Sequence, residues 1–170
     1  MELWDLYTEN REPTGEVHVR GKALPAERYH LVVHVWIKNQ KGQYLISQRS
    51  ASRPTFPLMW ECVGGSVLKG EDSFQGALRE VQEEVGIDLS RNMGRRLFTK
   101  VRGTIDGKTF NDIMDVWLFA YDGEANLAQA TTPEVVQSRW MSPDEIRALY
   151  DSHQLVDSLS YFFEKVQNET

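Results

Sequence analysis

The spacing of apolar and polar positions along this 170-residue chain changes period several times, and each change marks an element. Residues 2–7 and 16–20 are short strand-like runs separated by the turn formers of 10–15, and they predict an N-terminal hairpin. Residues 30–38, HLVVHVWIK, are dense in β-branched and aromatic side chains and predict a buried strand. Asn39 to Gly42 turns that strand into another over 43–48. A loop carrying two prolines, 50–57, leads to a short strand over 60–63 that ends at Gly64-Gly65. The period then becomes helical: Phe74, Ala77, Leu78, Val81 and Val85 share one face of a helix over 73–85. Asp72 with Gln75 three residues later makes a capping box, and Gly86 stands where such a helix stops.

Residues 97–105 and 109–121 predict a hairpin turned at Asp106-Gly107, and 135–141 a further strand. Ser142-Pro143-Asp144-Glu145 opens a helix over about 143–152, with a cap, a proline in the first turn and acids near its positive end. Residues 157–167 predict a last amphipathic helix. Strands before, between and after helices imply an α/β domain, a mixed sheet covered by helices on both faces. No linker parts the chain, so 1–170 reads as one domain.

Composition narrows the function. A domain of this size buries about 70% of the surface of its unfolded chain and holds a core without staples. Cys62 is the single cysteine, which excludes an internal disulfide and multi-cysteine zinc sites. Met1-Glu2-Leu3-Trp4-Asp5 lacks the basic start and apolar run of a signal peptide, and no stretch approaches 18 apolar residues. The expectation is a soluble, cytoplasmic protein with no membrane partner. A formal charge of −6 argues against a nucleic-acid scaffold, whose binders are normally basic. The acids concentrate between Gly65 and Ile87, where Glu71, Asp72, Glu80, Glu83 and Glu84 face only Lys69 and Arg79.

That segment carries the chemistry. It reads G-x5-E-x7-R-E-apolar-x-E-E-x-G-apolar, running Gly65, Glu71, Arg79-Glu80, Glu83-Glu84, Gly86-Ile87. At ordinary residue usage, the chance of such a match in this length is on the order of 10⁻⁷, which excludes coincidence. At about 100° per residue, Glu80, Glu83 and Glu84 fall on one side of the helix. Such carboxylates repel by about 3 kcal/mol per pair at 6 Å and an effective dielectric of 20. A hard divalent cation with oxygen ligands removes that repulsion. An isolated acidic helix face is ordinarily just solvated; the full spacing favours a metal. An ion pair between Glu71 and Arg79 is in position to hold the preceding loop against the helix.

The spaced pattern resembles the Nudix box, and Trp60-Glu61-Cys62-Val63-Gly64-Gly65 is similar to the strand that leads into it in the Nudix hydrolase family. The resemblance implies an α/β/α sandwich around a mixed sheet, and hydrolysis of a small-molecule diphosphate with Mg²⁺ or Mn²⁺. It implies that Glu80, Glu83, Glu84 and the Gly65 carbonyl bind metal, and that Glu71 and Arg79 form a structural pair. Arg49 falls where members often place a phosphate-contacting arginine, and Glu61 lies at the substrate side of the same region. For the base that activates water, the resemblance offers Glu80 inside the box or Glu134, six residues before Trp140.

Two rivals share the fold. The front half, Trp4-Asp5 to Gly15 and then Tyr29 to Ile37, also resembles isopentenyl diphosphate isomerase, where a histidine matching His30 serves the metal site. That enzyme needs a cysteine closely followed by histidine; here Cys62 comes about three residues early and no histidine follows. A non-catalytic nucleotide-binding module usually loses box acids, and all are present. His30 and His34 read as satisfied structural histidines, and the basic cluster Arg91, Arg95, Arg96, Lys100 and Arg102 as solvated surface. Trp36, Trp60, Phe56 and Trp117 are candidates to stack on a base, although strand aromatics ordinarily serve the core. The N-terminal hairpin is a candidate homodimer edge. The substrate itself is not written in the box, because specificity lies in loops outside it.

Overall fold

A computed structural model describes residues 1–170. Strands β1 (Leu3–Tyr7) and β2 (Pro13–Val19) form the N-terminal hairpin. β2 begins earlier than expected, inside the turn-forming stretch, where the Thr14 hydroxyl donates to the Leu6 carbonyl at 2.9 Å. The hairpin turns back onto its own chain: Tyr7 and Tyr29 exchange backbone hydrogen bonds of 2.8 and 2.9 Å.

The hub of the main sheet is β3 (His30–Lys38), an apolar run that supports burial on both faces. It pairs in parallel with β8 (Lys108–Ala120) and antiparallel with β6 (Val63–Ser66) and, at its end, β4 (Tyr44–Arg49). β4 also pairs with β5 (Trp60–Glu61) and β9 (Val135–Met141), and β8 with β7 (Gly94–Ile105). The result is a seven-stranded mixed sheet. The β7–β8 hairpin turns at Asp106-Gly107, as the sequence predicts.

Helix α1 (Ser73–Val85) covers one face and packs Ala77, Val81 and Val85 against Val33, Val35 and Leu45. Its capping box is formed: the Gln75 N–H donates to the Asp72 carboxylate at 2.8 Å, and the Asp72 N–H donates to Gln75 Oε1 at 2.9 Å. Gly86 closes it at φ 68° in the left-handed region, and a Cβ there would lie 1.9 Å from the Asn126 carbonyl oxygen. Helix α2 (Pro143–Asp151) and the C-terminal segment cover the other face, over Trp36, Tyr44 and Ile46. The architecture is the expected α/β/α sandwich. No helix is long and apolar enough to cross a membrane.

Two expectations are corrected. The strand over 60–63 is two strands, and the second continues through Gly64 and Gly65 because both pair with β3, opposite His34 and Val33. The helix over 157–167 is instead a 3₁₀ turn, Asp157–Leu159, followed by a short helix α3 (Phe162–Lys165). A bond from Val156 N–H to the Trp60 carbonyl holds the chain extended up to that point. Ser158 and Ser160 are weak helix formers, so the first bonds run to the third residue back. The helical spacing of Leu159, Phe162, Phe163 and Val166 still buries all four.

Candidate active site

The site begins with the way β6 delivers the chain to α1. Gly65 sits on β6 directly under the helix, and a Cβ added there would lie 2.3 Å from Glu80 Oε1. Glycine is therefore what lets the Glu80 carboxylate press against the backbone of the Gly-Gly strand. From Val67 to Glu71 the chain loops outward, and α1 returns it with Arg79, Glu80, Glu83 and Glu84 on the returning turns.

Arg79 is the centre of this array. Its Nε donates to Glu71 Oε1 at 2.7 Å and its Nη2 to Glu71 Oε2 at 3.2 Å, the forked pair the spacing predicts. Nη2 also donates to the Ser66 carbonyl at 2.8 Å, tying the helix to the end of β6. Nη1 donates to both Glu80 and Glu83 at 3.0 Å. Burial opposes the charge on Arg79, but the Glu71 hydrogen bonds and the carboxylates around it raise its pKa. Glu80 and Glu83 share Arg79, whereas Glu84 is 3% exposed, with Oε2 lacking any hydrogen-bond partner. No ready-made cluster of three metal-ligating side chains is present.

Electrostatics mark the same place. Burial pushes the Glu80 carboxyl up to about 7; Arg79 opposes the shift, and Glu83 and Glu134 add to it. Burial raises Glu84 well above the carboxylate range, reinforced by Glu80, Glu61 and Glu134. Glu61 is raised by burial against the opposing Arg49. Two desolvated carboxyls, an orphaned carboxylate oxygen and an adjacent backbone strand are the kind of oxygen donors that could hold a hard divalent cation. These residues fit Mg²⁺ or Mn²⁺.

Beside Gly64 and Gly65 opens a cleft of about 350 Å³, bordered by Arg49, Arg53, Glu61, Arg102, Phe56 and Phe110. Arg49 is buried and holds Glu61 at 2.7 Å through Nη1, while Nε and Nη2 grip Thr55. Glu134 lies ahead of β9, its side chain paired with Arg53 at 2.5 Å and its carbonyl accepting from Ser50 N–H. The expected residues thus fall into two groups, an Arg79 array and an Arg49–Glu61 pair, with Glu134 held separately by Arg53. A larger surface hollow of about 590 Å³ lies along β9 near Leu45 and Trp140, and none of the box glutamates lines it.

Several residues depart from the sequence reading. Arg102, expected in a solvated cluster, is half-buried, forked onto Asp112 at 2.7 Å and stacked on Phe110 at 4.6 Å, on the cleft wall. Arg53 was not anticipated; its signal was an arginine among prolines beside the last residue of β4. Asp112 and Asp115 interrupt the apolar run of β8, and a charge inside a buried strand calls for an arginine partner. His34 is satisfied, its Nδ1 2.8 Å from the Tyr161 hydroxyl, and burial drops it to about 3. His30 is not fully satisfied: it stacks on Trp4 at 4.0 Å with Nδ1 unpartnered, and burial drops it to about 4. Trp36 and Trp60 belong to the core, Trp117 donates to the Ser73 hydroxyl, and Phe56 is exposed beside the cleft.

Comparison with known proteins agrees with this geometry. The NUDIX domain family model matches residues 28–162. A Nudix hydrolase of Listeria monocytogenes is 39% identical over 166 residues, 96% of this chain and 91% of that protein. A crystal structure from Deinococcus radiodurans has the same fold, with a TM-score of 0.76 at 24% identity, covering 97% of this chain and 99% of that one. The Nudix domain of Shewanella oneidensis NrtR, solved with ADP-ribose, superposes at a TM-score of 0.54 and 17% identity over 80% of this chain and 92% of its own. With its box complete and its fold matched end to end, the chain belongs to the Nudix family of hydrolases.

Proposed function

We propose that the chain hydrolyses a phosphoanhydride bond in a small-molecule diphosphate, such as a nucleoside diphosphate derivative, with Mg²⁺ or Mn²⁺. Glu80, Glu83, Glu84 and the Gly65 carbonyl hold the cation. When bound, the ion supplies charge neutralisation to the diphosphate oxygens and to the departing phosphate. The observation that carries the reading is Glu80 pressed on Gly65 beside the unpartnered oxygen of buried Glu84, at the edge of an arginine-lined cleft.

The chain's own residues divide the remaining work. Glu71 and Ser66 draw Arg79 to one side, so that Glu80 and Glu83 can exchange its single nitrogen for a cation. Arg49, Arg53 and Arg102 give the cleft wall its positive charge, and a diphosphate there meets Arg49 on the side away from Thr55. Glu134 takes the proton of the attacking water, since it is the acid ahead of β9 whose side chain is not committed to Arg79. Arg53 orients it. Glu80 is the competing base, and Glu134→Gln separates the two: it should lower turnover by about 10²–10⁴ and leave metal affinity unchanged.

The isomerase reading finds less support. Cys62 belongs to the core cluster with Trp36, Tyr44 and Phe162, and burial pushes its thiol up. A panel of diphosphate compounds with Mg²⁺, scored for released phosphate or monophosphate, tests the proposal. Hydrolysis of at least one compound that disappears in Glu83→Gln supports it. Absence of hydrolysis across the panel, or conversion of isopentenyl diphosphate to its isomer, overturns it.

A further inference from the structure

The N-terminal hairpin lies outside the matched family region, yet it grips the loop that sets the box. Every backbone N–H from Val67 to Glu71 is bonded. Val67 donates to Leu31 of β3, Leu68 to the Glu71 carboxylate at 3.0 Å, and Glu71 to the Leu68 carbonyl. The other two go to β1: Lys69 to the Leu3 carbonyl and Gly70 to the Asp5 carboxylate, both at 2.8 Å. A side chain of the hairpin thus fixes the residue next to Glu71, and Glu71 holds the Nε and Nη2 side of Arg79 while Nη1 reaches Glu80 and Glu83.

A second strut holds the hairpin in place. Arg11, in the left-handed region at φ 65°, forks onto Asp115 at 2.8 and 2.6 Å, and Asp115 is wholly buried. Burial alone would raise the Asp115 carboxyl, but hydrogen bonds from Arg11, Ser73 and Thr99 bring it below its ordinary value. Ser73 is the first residue of α1, so the hairpin holds the helix start at one point and its approach loop at another.

We infer that Asp5 is a positioning residue of the metal site, acting through Gly70 and Glu71 on Arg79; the inference rests on the proposed role of the box glutamates. Removing the Asp5 carboxylate releases the Gly70 N–H and slackens the loop. Glu71 then loses its forked grip, and Arg79, already bonded to Glu80 and Glu83, is no longer held back from them and competes more strongly with a cation. The effect is on metal affinity and not on the fold, because the lost bond is exposed.

Mn²⁺ alone, titrated into the full chain and followed by electron paramagnetic resonance, reads this directly. Asp5→Ala should weaken Mn²⁺ binding about tenfold, whereas Asp5→Asn, which keeps an acceptor, should stay within about twofold of wild type. Arg20→Ala is the control: it removes an exposed ion pair to Glu2 on the same hairpin and should leave Mn²⁺ affinity unchanged. Asp5→Ala binding as wild type, Asp5→Asn failing to restore affinity, or Arg20→Ala weakening it equally would overturn the inference. If the wild-type chain itself binds no Mn²⁺, the metal-site reading falls, and this inference with it. Hydrolysis and Mn²⁺ binding that survive Asp5→Ala undiminished remove the inference alone.

Discussion

The two faces of the sheet are built on opposite plans. On the C-terminal face, Trp36, Tyr44, Phe162 and Phe163 interlock at centroid spacings of 4.8–6.3 Å, three of the four contacts edge to face. On the α1 face, an aliphatic layer of Val33, Ala77, Val81 and Val85 adjoins two carboxylates that are almost wholly buried, Glu80 and Glu84. The first arrangement gains from every contact. The second carries desolvated acid groups that oppose folding without a cation. The comparison teaches that the aromatic cluster packs only groups a core accepts, whereas the box helix holds desolvated acids a stable core would reject.

Substitutions on the two faces should therefore fail in different ways. The largest effect belongs to the α1 face: Glu83→Gln should abolish turnover, by 10²-fold or more, with melting temperature nearly unchanged. Steady-state kinetics beside calorimetry check it, and full activity with Mg²⁺ present would contradict it. Next comes the opposite face, where Phe162→Ala should cost about 3–5 kcal/mol and lower the melting temperature by roughly 10 °C. Activity per folded molecule should survive, and a loss of turnover well below the transition would blur the division.

A smaller effect sharpens the contrast. Glu84→Gln removes a buried acid and should stabilise the metal-free chain by about 1 kcal/mol or more while weakening Mn²⁺ binding. Denaturant unfolding without metal would tell against the account if the variant were less stable. The last expected effect appears only below neutral pH. His34 binds a proton near pH 6.5 when unfolded but only near 3 when folded, so the unfolded state takes up the proton first as pH falls. Its contribution is complete above about 6.5 and fades toward 3, at no more than about 1.4 kcal/mol per pH unit. Unfolding of His34→Asn should show a shallower decline than wild type from pH 6.5 to 4, and equal slopes would contradict this.

The sequence was most legible where signals are local. Both ends of α1, the 30–38 strand and the Asp106-Gly107 turn follow from caps, branched residues and turn chemistry within a few positions. Glu71 and Arg79, eight apart, were legible from the spacing of the box, with Glu71 in the loop ahead of the helix. What stayed hidden depends on distance along the chain. Arg11 meets Asp115 across 104 residues, and nothing beside either one names the other. The 157–167 segment misled because its apolar spacing is helical, while the bond from Val156 to Trp60 that breaks the helix is long-range. The sequence also marked Glu80, Glu83 and Glu84 as equals; the structure separates them, with two sharing Arg79 and the third buried with an unpartnered oxygen.

Anomalous diffraction from crystals soaked in Mn²⁺ with a methylene-bridged diphosphate tests the central claim most directly. The account predicts a strong peak bound by carboxylates of the Glu80, Glu83 and Glu84 set and by the Gly65 carbonyl, with Arg79 turned back onto Glu71. A peak elsewhere, or none while Arg79 still bridges Glu80 and Glu83, would contradict it.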